Sequence, residues 1–179
     1  MKGKQDIRFN AVSKIGVLKN SSVIDIGCGY GDFLAFLNKK RFNVKYTGID
    51  INERFIDIAK SKHPNSYFDV RDIEKKPLKK KFDWAFAIGT TNQNGSYSYI
   101  EKLMKEMLKI SKKGIAIDFL STYVDFKKPS NFHASPEKVF KIAKKFSKRV
   151  VLKHDYLPFE FCIFIYKNDK ISKNISFLK

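Results

Sequence analysis

The sequence predicts an α/β fold with a seven-stranded, mostly parallel sheet and helices on both faces. Strand-like apolar runs alternate with amphipathic helical segments, and a glycine-rich turn joins the first strand to the next helix. The last two strands are joined only by the short turn around Leu157-Pro158, which requires antiparallel pairing and gives the sheet one antiparallel strand. Residues 1–179 are expected to form a single domain, because this length buries a core without disulfides.

The strands are predicted from short runs of apolar, β-branched and aromatic residues with turn residues on each side. Such runs are expected where both faces of a parallel sheet are covered by helices. In chain order the predicted strands are residues 23–26, 44–50, 67–70, 82–88, 115–120, 149–156 and 159–167.

The helices are predicted from apolar residues at three- and four-residue spacing and from capping residues. Asn52 can cap a helix that Pro64 ends, and Ser135-Pro136 is a typical helix start. The polar residues 168–179 are expected to form a frayed tail. The predicted helices are a lead-in helix at 8–19, one opened by Asp32, 52–63, 97–112 ended by Gly114, and one beginning at 135.

The composition limits the class of protein. The net charge is +18, but only five of the 36 basic residues are arginines, which read phosphates and bases better than lysines do. A nucleic-acid partner therefore stays open but is not favoured. Two cysteines, far apart in sequence, indicate neither a disulfide framework nor a metal site. With no apolar run of membrane-spanning length and no visible signal peptide, a cytoplasmic protein is expected.

A glycine-rich turn follows the first strand, with Gly27, Gly29 and Gly31 spaced two residues apart and Asp32 opening the next helix. Glycines let the main chain curl and approach a ligand where a Cβ would clash. The start of the helix also offers free backbone N–H groups. A turn of this kind is by itself only a weak indication of a nucleotide site.

The second strand ends in Asp50, which lies 19 positions beyond Gly31. Nucleotide-binding α/β folds place a carboxylate at roughly this offset, about 20 residues, to bind a ribose diol. A carboxylate suits that position because it can accept hydrogen bonds from both hydroxyls. The alternative is that Asp50 caps the helix that begins at Asn52.

Together these features resemble the class I S-adenosylmethionine (SAM)-dependent methyltransferases. The matching motifs are the D-x-G-x-G-x-G from Asp25 to Gly31, the acid Asp50, the Asp72-Ile73 pair after strand three, and the fourth strand that ends at Gly89. The resemblance implies a Rossmann-like methyltransferase fold, with motifs over roughly residues 20–120 and SAM as the cofactor. The glycine spacing differs from the G-x-G-x-x-G of NAD-dependent oxidoreductases, which disfavours that class.

The resemblance also implies roles for individual residues. Asp50 would bind the ribose hydroxyls, and Ile51 would pack on the adenine. Asp72 would accept from the adenine amino group, and the N–H of Ile73 would donate to the ring. Asp72 as a turn acid and Gly89 as a simple strand exit are the alternatives. Asp25 would hold the turn or meet the substrate ammonium through water. The methionine part would lie over Gly27, Cys28, Gly29 and Gly31, and the sulfonium would be flanked by Ala87, Ile88 and Gly89.

Methyl transfer from a sulfonium is an in-line displacement with a neutral leaving group, so positioning of donor and acceptor matters most. An oxygen acceptor would usually need a base as well. His133, in the loop after strand five, and His154, in strand six, are the candidate bases, and a surface role is the alternative for both. Further candidate lining residues are Tyr97, Tyr123 and Asp125. Asn92 and Gln93 could orient a polar acceptor, and a solvated loop is the alternative for them.

The predicted function is therefore methyl transfer from SAM to an oxygen or nitrogen atom of a small polar acceptor, such as a sugar or another metabolite. The chain lacks the Asn/Asp-Pro-Pro-aromatic motif of enzymes that methylate amino groups of bases. The alternatives are a SAM-binding protein without turnover, or an RNA or protein methyltransferase that uses two lysine stripes. One stripe is Lys102, Lys105, Lys109 and Lys112, and the other is Lys138, Lys141, Lys145 and Lys148.

Overall fold

The structure is a computed structural model that describes residues 2–93 and 95–168. This part of the chain forms seven strands and five helices, the numbers that the sequence predicts, and they alternate except between the third and fourth and between the sixth and seventh strands. The strands are β1 (Ser22–Ile26), β2 (Lys45–Asp50), β3 (Tyr67–Val70), β4 (Phe82–Ala87), β5 (Ser111–Leu120), β6 (Val150–Leu157) and β7 (Glu160–Tyr166). The helices are α1 (Lys2–Ser13), α2 (Asp32–Lys39), α3 (Glu53–Lys62), α4 (Tyr97–Ile110) and α5 (Pro136–Ala143).

The strands form one sheet in the order β3-β2-β1-β4-β5-β7-β6. Strand β7 is antiparallel to both of its neighbours, and the other pairs are parallel. This confirms the predicted mostly parallel sheet with one antiparallel strand. The chain runs outwards from β1 to β3 and then returns to the other side of β1, so the strand order reverses between β1 and β4. Ligands of open α/β sheets bind at the carboxyl ends of the strands at such a reversal.

Helices cover both faces of the sheet, as predicted, because each presents an apolar stripe to it. On one face α4 and α5 bury residues such as Leu103 and Val139 against β4, β5 and β7. On the other face α1, α2 and α3 bury Val12, Phe33 and Ile56, respectively. No helix within the described ranges is long and apolar enough to cross a membrane.

Three predicted boundaries differ from the structure. The lead-in helix was predicted at 8–19 but is Lys2–Ser13, since its polar first turn gives no apolar signal. The helix predicted at 97–112 ends at Ile110, and Ser111 pairs with Phe82 and begins β5. Strand pairing therefore starts before Gly114, where a helix end was expected. Of the predicted frayed tail, only Asn168 lies within the described residues.

The two predicted lysine stripes are shorter than expected, because each helix ends before the last lysines of its stripe. Lys112 lies in β5 rather than on α4, and Lys145 and Lys148 lie beyond the end of α5 at Ala143. Lys109 forms an ion pair with Glu106 at 2.6 Å, and Lys145 forms one with Glu101 at 3.0 Å. The prediction of two continuous helical stripes is therefore wrong.

Candidate active site

The turn after β1 depends on three glycines in the left-handed region. Gly27, Gly29 and Gly31 have φ angles of 71°, 54° and 76°, a conformation that costs other residues about 1–2 kcal/mol. A Cβ on Gly27 would lie 2.6 Å from Oγ1 of Thr90, and one on Gly31 would lie 2.8 Å from the His63 ring. A Cβ on Gly29 would have no atom within 4 Å. The turn is therefore packed at both ends and open in the middle, where a ligand can approach the main chain.

Asp50 ties the end of β2 to this turn. Its Oδ2 accepts from the backbone N–H of Gly29 at 3.0 Å, and its Oδ1 accepts from the N–H of Asn52 at 2.9 Å. Helix α3 is capped by the side chain of Asn52, which accepts from Arg54 at 3.0 Å. The alternative of Asp50 as the cap of α3 is therefore wrong. A half-buried carboxylate stands beside the open glycine instead.

Asp25 lies buried in β1 directly before the turn. Its Oδ2 accepts from the hydroxyl of Tyr46 at 2.7 Å, while its Oδ1 is buried without a hydrogen-bond partner. Burial raises the pKa of Asp25 to about 7, although the hydrogen bond from Tyr46 favours the ionised form. An unpaired buried carboxylate oxygen is costly unless a donor satisfies it. This position fits a ligand ammonium or a bridging water.

Cys28 contributes to the turn through its backbone. Its side chain is 8% exposed, and its Sγ lies 2.8 Å from the position a Cβ on Gly48 would take, which directs the thiol into the core. Burial raises the pKa of this thiol well above its ordinary value, so it is not a reactive thiolate. The N–H groups of Gly27 and Cys28 both donate to the carbonyl of Ile49, at 2.8 and 3.0 Å.

The predicted adenine-binding residues follow β2 and β3. The side chain of Ile51 is 75% exposed at the open edge of the sheet, while that of Ile73 is buried in the core at 5% exposure. Oδ1 of Asp72 accepts from the backbone N–H of Glu74 at 2.9 Å. Asp72 therefore closes a turn, as its alternative interpretation proposed, and its Oδ2 is 3.6 Å from the exposed amino group of Lys75.

Gly89 follows β4 opposite the glycine-rich turn. Ala87 is buried and Ile88 is half-buried, whereas Gly89 has a φ of 76°. The backbone N–H of Gly89 donates to Oδ1 of Asp118 at 2.6 Å. Gly89 is thus more than a simple strand exit, because a buried carboxylate on β5 fixes the orientation of its peptide.

A buried ion cluster beside Gly89 was missed by the sequence interpretation. Nη2 of Arg8 on α1 lies 2.6 Å from Oδ2 of Asp118, and its Nε lies 2.9 Å from Oε2 of Glu160 on β7. A Cβ on Gly89 would be 3.2 Å from Nη2 of Arg8. The available signal was an acid inside the apolar run of β5, because an isolated charge within a buried strand needs a partner.

The predicted acceptor residues separate into two groups. His133, Tyr123 and Asp125 line an open cleft of about 480 Å³ beside the carboxyl end of β5, together with Pro158 and Phe159 of the β6–β7 turn. Nδ1 of His133 is 3.2 Å from the carbonyl oxygen of Asn131. The cleft loop contacts the β4 end through the N–H of Phe132, which donates to the carbonyl of Asn92 at 2.8 Å. The other lining residues of the cleft are Leu120, Val124, Phe126, Lys128 and Asn131.

The remaining predicted residues lie outside this cleft. Nε2 of His154 is 3.1 Å from the carbonyl oxygen of Pro158, and its ring packs near Tyr123 at a centroid distance of 6.1 Å. The hydroxyl of Tyr97 accepts from the N–H of Ser135 at 3.0 Å, so Tyr97 holds the start of α5. Gln93 is exposed. Within residues 2–93 and 95–168, no group of three His, Cys, Asp or Glu side chains is placed to hold a metal ion.

An open glycine turn, a carboxylate at the end of β2 and the switch point beside β4 define this protein as a class I SAM-dependent methyltransferase. The seven-stranded sheet with its antiparallel β7 is the fold of that class. The chain belongs to the family described as the methyltransferase domain, whose model matches residues 18–159.

Known relatives agree with this assignment. The chain is 29% identical over 158 residues to a protein of Mycobacterium tuberculosis named as a methyltransferase, covering 82% of this chain and 93% of that one. The magnesium protoporphyrin IX methyltransferase of Synechocystis, solved with bound SAM, superposes with a TM-score of 0.71 at 15% identity, covering 93% and 81% of the two chains. The plantazolicin methyltransferase complex with S-adenosylhomocysteine (SAH) gives 0.72 at 17% identity, covering 93% and 87%.

Other curated relatives are longer, and the chain spans 32% of one and 36% of another. Their names refer to acceptors as different as malonyl-[acyl-carrier protein] and phthiotriol dimycocerosates. The relatives therefore agree on methyl transfer and differ in the acceptor.

Replacing Gly29 with valine is expected to weaken SAM binding by tenfold or more while the protein stays folded. The side chain would project into the open space above the turn, where no protein atom lies within 4 Å. Backbone strain at φ 54° should lower the free energy of unfolding by only about 1–2 kcal/mol. Calorimetric titration with SAM measures the first effect and urea denaturation the second.

Arg41→Val is the control for a branched side chain at positive φ, because Arg41 has a φ of 57° on an exposed turn. Since Arg41 already carries a Cβ, this variant should lose less stability than Gly29→Val and keep the affinity of the wild type for SAM. Unchanged SAM affinity in Gly29→Val would show that the ligand does not pass over the turn.

Proposed function

We propose that the chain transfers the methyl group of SAM to an oxygen or nitrogen atom of a small polar acceptor. The observation that carries the proposal is the open middle of the glycine turn beside the half-buried Asp50 carboxylate. This arrangement offers free main-chain surface and a carboxylate that can accept two hydrogen bonds. Both lie beside the point where the strand order of the sheet reverses, between β1 and β4. Both features suit an adenosyl group.

The donor half of the site is assigned as follows. Asp50 holds the ribose hydroxyls, and the exposed Ile51 packs on the adenine. Oδ1 of Asp25, which is buried and without a partner, receives the ammonium of the methionine part or a water bound to it. Bound SAM supplies a methyl group on a cationic sulfur. The backbone at Ile88 and Gly89 orients that sulfur toward the acceptor cleft.

The acceptor half is assigned to the cleft lined by His133, Tyr123 and Asp125. Its loop is tied to Asn92, three residues beyond Gly89. This connection supports an acceptor position beside the methyl group. The half-buried imidazole of His133 is the candidate base for a hydroxyl acceptor, since Nδ1 near the Asn131 carbonyl leaves Nε2 to take the proton. A neutral amine acceptor needs no such base.

The role of His154 remains that of a second candidate base. Its Nε2 is within hydrogen-bonding distance of the Pro158 carbonyl, so as a donor to that oxygen it would be held in one tautomer. A His154→Gln variant with normal turnover would assign the histidine to the structure of the β6–β7 turn.

Binding is the first test of this function. Calorimetry should detect binding of SAM and of SAH to the purified protein and no binding of NAD. Binding of NAD alone would overturn the proposal.

Turnover is the second test. Transfer of labelled methyl from SAM should be screened over metabolite fractions, and over cell extract with and without nuclease and protease treatment. Label in a small-molecule fraction supports the proposal. Label that disappears with nuclease or protease would favour a macromolecular acceptor, and SAM binding without transfer to any fraction would indicate a binding protein.

A further inference from the structure

We propose that Asp118 and Glu160, incompletely neutralised by Arg8, make the site prefer SAM, which carries a sulfonium cation, over its neutral product SAH. This inference rests on the proposed function, in which Gly89 lies beside the sulfur. The two molecules differ at the sulfur by one methyl group and one positive charge. A negative charge near the sulfur therefore increases the affinity for SAM over that for SAH. Contacts to the adenine and ribose contribute equally to the binding of both molecules.

The cluster is in direct contact with Gly89, beside which the sulfur lies in the proposed function. Oδ1 of Asp118 accepts from the N–H of Gly89 at 2.6 Å, and Oδ2 of the same carboxylate is 2.8 Å from Nε of Arg8. Arg8 also approaches Gly89, because a Cβ there would be 3.2 Å from Nη2. A ligand atom that packs on Gly89 is thus close to Asp118, and Glu160 contacts the same guanidinium as Asp118.

Glu160 is the least compensated member of the cluster. It is 7% exposed, and its Oε2 is buried without a hydrogen bond, although Nε of Arg8 is 2.9 Å away. The reason is geometric, since Nε carries one hydrogen and directs it at Asp118. Two carboxylates thus share one guanidinium. The excess negative charge lies in a poorly hydrated region, where charge interactions are stronger than in water.

The surrounding groups do not remove this excess. Lys4 on α1 is exposed, with its amino group 5.1 Å from the centre of the Phe159 ring, so solvent screens it. Burial raises the pKa of the Tyr156 hydroxyl and of the Cys162 thiol well above their ordinary values, and both groups stay neutral. The charged groups that face Glu160 are Arg8 and Lys4 from α1 and Asp118 from β5.

The pH dependence has a definite sign. Burial raises the pKa of Glu160 to about 7, with Arg8 opposing and Asp118 adding to the shift. Glu160 is therefore mostly neutral at pH 6 and mostly ionised at pH 8. The preference for SAM over SAH should increase as the pH rises through about 7. Asp25 titrates in the same range, but in the proposed function it receives the ammonium that SAM and SAH share, so its titration changes both affinities and not their ratio.

The experiment is calorimetric titration of the wild type and of Glu160→Gln with SAM and with SAH, at pH 8 and at pH 6. At pH 8 the ratio of the SAH to the SAM dissociation constant should fall by about two- to fifteenfold in the variant. This range corresponds to one charge about 10 Å from the sulfur with effective dielectric constants between about 80 and 20. The ratio should change with pH less in the variant than in the wild type.

Glu101→Gln on α4 is the matched control, because it removes the same charge from a surface ion pair with Lys145. It should leave the ratio unchanged. If Glu160→Gln keeps the wild-type ratio at both pH values, the inference is wrong while the proposed function stands. If neither SAM nor SAH binds the wild type, the proposed function itself fails. Should Glu160→Gln not fold, the pH dependence of the wild-type ratio decides, and a ratio that falls or stays constant with rising pH overturns the inference.

Discussion

Replacing Arg8 with alanine is expected to lower the free energy of unfolding by about 3–5 kcal/mol. The Arg8 side chain is 19% exposed and contacts two carboxylates, those of Asp118 and Glu160, which are 1% and 9% exposed. Without the guanidinium, both acids stay buried with no opposing charge in contact, a state that costs far more than losing a surface ion pair. Urea denaturation of the wild type and the variant at about pH 8 measures the difference.

The deficit of the Arg8 variant should shrink as the pH falls. Glu160 has a raised pKa of about 7 in the folded protein against an ordinary value of 4.5, so the folded state binds the proton more tightly. The stability that this proton contributes is present at low pH and is lost as the pH rises through about 7. Removing Arg8 strengthens the preference for protonated Glu160, so the deficit at about pH 5 should be smaller than at pH 8.

Arg54→Ala on α3 is the control, since Arg54 is exposed and its removal should change the stability by less than about 0.5 kcal/mol. Arg8→Lys keeps the charge but loses the planar fork, and should fall between the wild type and alanine. A loss below about 1 kcal/mol for Arg8→Ala would mean that water reaches the two carboxylates.

The donor half of the site could be predicted from sequence because its determinants are local. Gly27, Gly29 and Gly31 occupy alternate turn positions that need positive φ, and they directly follow strand β1 at the edge of the sheet. The distance along the chain from Gly31 to Asp50 follows from one helix and one strand of ordinary length. The topology is equally constrained, since right-handed crossovers leave few arrangements for alternating strands and helices.

The ion cluster could not be predicted in this way. Arg8 and Asp118 are separated by 110 positions, and nothing local to either residue indicates the other. Arg8 also lies on a helix with many polar surface residues, so its charge alone gives no sign of a buried partner. Only the packing of α1 against β5, β6 and β7 brings the guanidinium to the end of β4.

The lysine stripes and the end of α4 were mispredicted for a related reason. Amphipathic spacing continues through Lys112, and a helix was expected to run to Gly114. In the structure, pairing of Ser111 with Phe82 ends the helix sooner, because main-chain hydrogen bonds to β4 replace those of another helical turn. Tertiary pairing overrides local periodicity at such a junction.

Replacing Asp50 with alanine is expected to weaken SAM binding by about 1.5–3 kcal/mol for each charged hydrogen bond lost. The carboxylate already accepts from the N–H groups of Gly29 and Asn52, at 3.0 and 2.9 Å, and each of its oxygens keeps a further lone pair for a ribose hydroxyl. The variant therefore loses the ribose contact together with the bond that holds Gly29. Calorimetric titration with SAM gives the change in affinity.

Two further variants separate these two effects. Asp57→Ala removes an exposed carboxylate from α3 and should leave the affinity for SAM unchanged. Asp50→Asn keeps one oxygen as an acceptor but replaces the other by a donor, so it can satisfy either Gly29 or Asn52 and still loses the charge. If the ribose assignment is correct, Asp50→Asn should retain most of the stability of the wild type and little of its affinity. Equal affinity in all three variants and the wild type would mean that Asp50 only braces the turn, and the ribose would have to be held elsewhere along the sheet edge.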